Sequence, residues 1–249
     1  MQACRHHRHA HPETAFEETA SAAFVADKLR GFGLEVHEGL AGTGVVAALR
    51  AGGDGGEERA VGLRADIDAL PMTEHNKFAH ASKHPGKMHA CGHDGHTAML
   101  LGAAKALAQT RRVAGTVYFI FQPAEENEGG GRVMVEQGLF RQFPMRAVYG
   151  MHNWPQQPLG RIATRAGPLM GAYDIFEIVV TGKGAHAAMA YTGKDPMLFA
   201  AHAISALQTI VSRNLNPQDA GVVSVTQVHG GDTWNVIPEE VVLRGTVRT

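Results

Sequence analysis

The run Val117-Tyr118-Phe119-Ile120-Phe121 is apolar or aromatic at every position. A strand-length stretch of that kind must be buried, so the residues that follow it, Gln122-Pro123-Ala124-Glu125-Glu126, fall at the rim of a sheet. Other β-prone runs at 34–36, 45–49, 60–65 and 147–151 are interleaved with helical spacing at 12–33, 96–109 and 131–137. Alternation of this sort predicts an α/β fold, a mostly parallel sheet with helices on both faces. Gly52, Gly53, Asp54, Gly55 and Gly56 read as a turn between two strands. Beyond Gly160 the texture changes to an alternating strand at 173–181, a long helix at 195–213 and strands at 221–228 and 241–247. That order predicts a smaller α+β unit. Gly167, Pro168 and Gly171 punctuate the junction, so the expected domains are 1–168 and 169–249.

Charge narrows the partners. With 23 Lys and Arg against 24 Asp and Glu, the chain has no excess with which to capture nucleic acid or an anionic membrane surface, and a small-molecule substrate is the default. The first residues carry no apolar core of a signal peptide, and no apolar run approaches the roughly 18 residues of a membrane span. Two cysteines, Cys4 and Cys91, build no disulfide framework; Cys91 sits among histidines, where a thiolate ligand in a reducing, cytoplasmic compartment is the better reading. His6, His7, His9 and His11 crowd the N-terminus and are read as a solvated surface tract.

Four segments carry chemistry. Met88-His89-Ala90-Cys91-Gly92-His93-Asp94-Gly95-His96 packs a thiol, three imidazoles and a carboxylate into nine residues before a helix. Soft sulfur and borderline nitrogen suit zinc, manganese, cobalt or nickel better than magnesium or calcium. The bland alternative is a helix start capped by Asp94 with a buried cysteine. Asp66 and Asp68 end another apolar run two residues apart, on one face of a strand, where a carboxylate could orient a metal-bound histidine. Glu125 and Glu126 are adjacent, so on an extended chain one would bind metal while the other faces the substrate water as general base. A fourth strand delivers His152 at its end, in Tyr149-Gly150-Met151-His152-Asn153-Trp154.

Together with His9-Ala10-His11-Pro12-Glu13, Gly182-Lys183-Gly184-Ala185-His186, Asn235-Val236-Ile237-Pro238 and Gly245-Thr246-Val247-Arg248, these segments resemble the hippurate hydrolase and indole-acetyl-amino-acid hydrolase group. That group lies within the aminoacylase and carboxypeptidase-like metallohydrolases. The resemblance implies two divalent metal ions held by Cys91, His93, Glu126 and His152, with Asp68 behind them and Glu125 as general base. It further implies hydrolysis of an N-acyl amino acid to a carboxylic acid and a free amino acid. The smaller unit would be a lid and homodimerisation domain, with His186 stabilising the tetrahedral intermediate across the dimer and Asn235 and Arg248 gripping the substrate carboxylate. A dipeptidase is the nearest rival.

Two departures stand out. The family's Met-Pro-His after the lid histidine is Met189-Ala190-Tyr191 here, which changes a polar contact near the substrate. The family also draws a further histidine ligand from a segment after the lid, whereas this sequence ends at Thr249; a truncated, slow or non-catalytic remnant that binds metal or dimerises is therefore the competing expectation.

Overall fold

The computed structural model describes residues 1–51 and 59–249; the glycine-rich turn at 52–56 lies outside them. The chain forms two compact units, Met1–Pro158 and Leu159–Thr249, which divide ahead of the Gly167, Pro168 and Gly171 punctuation.

The first unit is built on a five-stranded sheet in the order β1-β2-β4-β3-β5. Its strands are β1 (Glu35–Leu40), β2 (Gly44–Ala51), β3 (Ala60–Asp66), β4 (Gly115–Gln122) and β5 (Ala147–Gly150). β3 runs parallel to both β4 and β5, while β1 and β2 add an antiparallel hairpin on one side. Period-two alternation along the central strands explains the layers. Val45, Ala47 and Leu49 of β2 and Val117, Phe119 and Phe121 of β4 bury against α2 (Thr19–Gly31) and α3 (His93–Thr110). Val46, Ala48, Tyr118 and Ile120 face the other way, onto α4 (Gly130–Glu136) and α5 (Leu139–Gln142). β4 is therefore covered on both faces, as its composition requires.

Two N-terminal expectations are corrected. The histidine tract is a helix, α1 (Gln2–Ala10), and its Arg8, His9 and Ala10 are buried. Arg8 reaches the carbonyl oxygens of His11 and Ile67, and His9 is held by two carboxylates, so tertiary partners draw in side chains that look solvated in sequence. The helix expected from 12 to 33 begins only at Thr19. Before it, Phe16 takes a left-handed φ of 60°, Thr14 bridges to Ala69, and the Glu13 carboxylate accepts the N–H groups of Ala20 and Ser21 at 3.1 and 2.7 Å. Glu13 thereby satisfies two of the orphan donors at the start of α2.

The second unit holds a three-stranded antiparallel sheet, β6-β10-β8, formed by β6 (Tyr173–Thr181), β8 (Val222–His229) and β10 (Glu240–Arg248). A short ladder pairs β7 (Ala185–His186) with β9 (Val236–Ile237). Helix α6 (Pro196–Thr209), capped by the Asp195 carboxylate on Met197 N–H at 2.9 Å, packs Ala200 against Val180, Val241 and Leu243. No helix among the described residues is long and apolar enough to cross a membrane.

Candidate metal centre

Strand ends build the centre. β3 terminates in Asp66, two residues before Asp68; β4 leads through Pro123 into Glu125 and Glu126; β5 ends two residues before His152. The start of α3 contributes His93, preceded by Gly92 at a left-handed φ of 96° and by Cys91. These ends share one edge because β3, β4 and β5 are parallel, the arrangement in which open α/β sheets collect ligands at the carboxyl ends of their strands.

His93 is the hub. Its Nδ1 lies 3.0 Å from the Asp68 carbonyl oxygen and 3.1 Å from Asp68 Oδ1. The other nitrogen, Nε2, stands 3.6 Å from Asp66 Oδ2, 3.6 Å from Glu126 Oε1 and 3.9 Å from Glu125 Oε2. Both His93 Nε2 and Glu126 Oε1 are buried without a hydrogen-bond partner. Cys91 and His152 meet beside them, Sγ to Nε2, at 3.5 Å. His152 Nδ1 donates to the Asn153 carbonyl at 2.6 Å, which leaves the Nε2 lone pair facing the thiol.

Three overlapping donor groups include His93: with Cys91 and His152, with Glu125 and Glu126, and with Asp66 and His96. Chemistry separates them. Asp66 and His96 are bonded to one another at 2.6 Å, and His96 Nε2 accepts from Asn153 N–H at 3.0 Å, so that pair is already spent on structure. The donors with lone pairs to offer are Cys91, His93, Glu125, Glu126 and His152. Such a set of thiol, imidazole and carboxylate fits a borderline divalent cation, and the two unpartnered buried atoms are where its ligands would be.

The electrostatics agree. Burial alone would depress the His93 imidazolium, but the Asp68 hydrogen bond, the Cys91 thiol and the Asp66 charge outweigh it and lift its pKa to about 11. Burial likewise opposes the charge on Asp66, yet His96, His93 and Arg64 hold it far below the usual carboxylate range. Glu126 is pushed up, chiefly by burial and by the neighbouring charges of Glu125 and Asp68, against the pull of His93 and Cys91. The carboxylates around His93 favour positive charge at its ring, and a cation bound at Nε2 would take the place of that proton.

Asp68 ties two of the donors together, since its Oδ2 accepts the Glu126 N–H at 3.0 Å while Oδ1 contacts His93. Glu125 and Glu126 do not diverge as neighbours on an extended strand would. They lie in a turn after Ala124, whose φ is 51°, and both carboxylates reach His93. That turn is held by the fully buried Glu18, which accepts Ala124 N–H at 2.9 Å and Thr43 Oγ at 2.7 Å, and by Gly130, where a Cβ would fall 1.9 Å from the Pro123 carbonyl oxygen. In sequence Glu18 is an ordinary acidic residue at a helix start, with nothing to mark this distant role.

The remaining motif residues are placed differently. Asp94 does not cap α3; it is buried and accepts from Arg5 at 3.2 Å and from His9 at 3.0 Å. His89 faces Arg8 at 3.4 Å, and burial with that positive neighbour drives its pKa down to about 3. In the second unit, exposed His186 accepts the Ala188 N–H through Nδ1 at 3.1 Å and opens a 3-10 turn that carries Ala190 and exposed Tyr191. The Asn235 carbonyl accepts from Ala187 N–H at 2.9 Å. Arg248 lies 4.1 Å over the Tyr173 ring at the far end of β10. Asn235 immediately precedes β9, whereas Arg248 is the last residue of β10.

Comparison with known proteins places this geometry. The chain is 45% identical over 246 residues to N-acetyl-L-cysteine deacetylase of Bacillus subtilis, covering 98% of this chain and 58% of the relative. It is 43% identical over 244 residues to hippurate hydrolase of Campylobacter jejuni, covering 98% and 63%. It thus spans about three-fifths of the length of these relatives. Among solved structures, a dinuclear metal-binding peptidase of Bacillus subtilis superposes with a TM-score of 0.72 at 40% identity, over all of this chain and 63% of that one. Residues 62–242 match the model of peptidase family M20/M25/M40, and on a match of that length the chain belongs to this family.

Proposed function

We propose that this chain carries the metal site of an amidohydrolase that cleaves N-acyl amino acids into a carboxylic acid and a free amino acid. The observation that carries the reading is the pair of buried, unpartnered ligand atoms, His93 Nε2 and Glu126 Oε1, 3.6 Å apart and flanked by Cys91 and His152. Cys91, His93, Glu126 and His152 would hold two divalent cations of the manganese, zinc, cobalt or nickel type, and Asp68 fixes the orientation of His93. When bound, such cations supply Lewis-acid polarisation of the scissile carbonyl and a lowered pKa for the attacking water.

Glu125 does the proton work. It is the more exposed of the two glutamates, 44% against 17%, and its carboxylate still reaches the hub of the site. It takes the proton of the water as the oxygen adds to the acyl carbon, then hands that proton to the amine as the C–N bond breaks. The second unit acts as a lid and homodimerisation unit, with His186 stabilising the tetrahedral intermediate and Asn235 and Arg248 contacting the substrate carboxylate. A thiolate ligand needs a reducing compartment, and the cytoplasm is the proposed location.

Support comes from relatives whose names are N-acetyl-L-cysteine deacetylase, hippurate hydrolase and N-acyl-L-amino acid amidohydrolase. The test is release of free amine from hippurate, N-acetylcysteine and a dipeptide by the protein loaded with Mn²⁺, Co²⁺ or Zn²⁺. Release from the acylated substrates is expected, and Glu125→Gln should slow it about 10²- to 10⁴-fold at unchanged metal content. Release from the dipeptide alone would favour a dipeptidase, and wild-type rates in Glu125→Gln would remove Glu125 from its role.

A further inference from the structure

His152 is the least supported of the proposed ligands. It follows β5, an edge strand of four residues that among the described residues pairs with β3 alone, and both Met151 and His152 are exposed. Its partner Cys91 comes from a different element, the loop before α3, so the two share a cation only if other contacts fix the distance between them. One is the edge-on packing of the His152 ring against that of buried His96, 4.5 Å between centroids.

We propose that Asn153 is the positioning residue that locks the His152 segment to the Cys91–His93 loop; the inference rests on the metal-centre reading above. Asn153 makes three separate ties. Its side-chain Nδ2 donates to the Gly92 carbonyl at 2.9 Å, between Cys91 and His93. Its backbone N–H donates to His96 Nε2 at 3.0 Å, and His96 is in turn anchored on Asp66 at 2.6 Å. Its own carbonyl accepts from His152 Nδ1 at 2.6 Å, which sets that ring's tautomer and turns Nε2 toward Cys91.

Gly92 and Gly95 leave the room this requires. A Cβ on Gly92 would meet Asn153 Nδ2 at 2.3 Å, and one on Gly95 would meet it at 3.1 Å, so the amide lies flat against two positions that carry no side chain. Gly92 also holds a left-handed φ of 96°, which is strained for any residue with a Cβ. The loop glycine and the asparagine are thus two halves of one clamp. Groups that orient metal ligands from behind are worth about 10- to 100-fold in affinity.

Cobalt reads the clamp directly, because a thiolate ligand gives Co²⁺ a sulfur charge-transfer absorption distinct from its d–d bands. Asn153→Ala removes the side chain, while Asn153→Leu keeps its shape without the donor. Both should bind Co²⁺ about 10- to 100-fold more weakly, with the sulfur band reduced relative to the d–d bands, and with little change in the melting temperature of the metal-free protein. Wild-type affinity and sulfur band in the Leu variant, whose volume protects folding, would overturn the role of Asn153. Failure of the wild type itself to bind Co²⁺ would instead overturn the metal-centre reading and this inference with it.

Discussion

Two histidine-bearing regions of the first unit are opposite in character. At the end of α1 nitrogens are spent: His9 engages Asp94 and Glu74 at 3.0 and 3.1 Å, and just beyond the helix His11 Nδ1 meets the His7 carbonyl at 2.8 Å. In the segment from Cys91 to His93, with His152, nitrogens are left over: His93 Nε2 has no partner, and His152 Nε2 faces only a thiol. Ligand density in sequence is therefore a poor guide to a metal site. What separates the regions is whether an oxygen already uses each lone pair or N–H, because a cation competes for the lone pair a hydrogen bond would take.

The comparison is easiest to break with the largest effect. His93→Ala should abolish Co²⁺ or Zn²⁺ binding in a calorimetric titration, whereas His9→Gln should leave metal stoichiometry unchanged; loss of metal in the His9 variant would erase the distinction. Asp68→Asn should weaken metal binding about 10- to 100-fold, because it disturbs both the His93 and the Glu126 contacts. Wild-type affinity there would show that the ligands hold their own orientation.

The smallest effect sharpens the other side. His9→Gln should lower stability by about 1–3 kcal/mol, measured by denaturant unfolding of the metal-free protein near pH 6, since its buried carboxylate partners lose a donor. The cost should depend on pH. The Asp94 hydrogen bond, opposed by burial and helped by Glu74, raises the folded pKa of His9 above its ordinary 6.5. The stability this contributes is fully present below pH 6.5 and is lost as pH rises through the raised value. The gap between wild type and His9→Gln should therefore narrow toward alkaline pH, and a gap that widens would show that His9 is neutral in the folded protein.

Much of the fold was legible because burial and periodicity are local properties. The apolar run at 117–121 appears within β4, and the helix expected at 96–109 as α3, begun three residues earlier at His93. The α/β layer with helices on both faces follows from such elements. Helical spacing of Phe16, Ala20, Ala23 and Phe24 predicts a helix from 12 to 33, but the bridge from Thr14 to Ala69 and the Glu13 cap turn the residues before Thr19 away from it. Spacing carries no record of those distant partners.

The site divides the same way. Residue types and order alone identified Cys91, His93, Glu125, Glu126 and His152 as chemistry-bearing, because thiols, imidazoles and paired carboxylates at the ends of buried strands have few other uses. Only the tertiary structure decided which lone pairs stay free: His96 spends both nitrogens on Asp66 and Asn153, His89 turns to Arg8, and Asp94 serves α1. Only it, too, brought Glu18 under Ala124 and Asn153 over Gly92. A sequence lists the groups capable of bonding, but their pairing depends on distances across 30 to 106 residues of chain, which exist only once the sheet has formed.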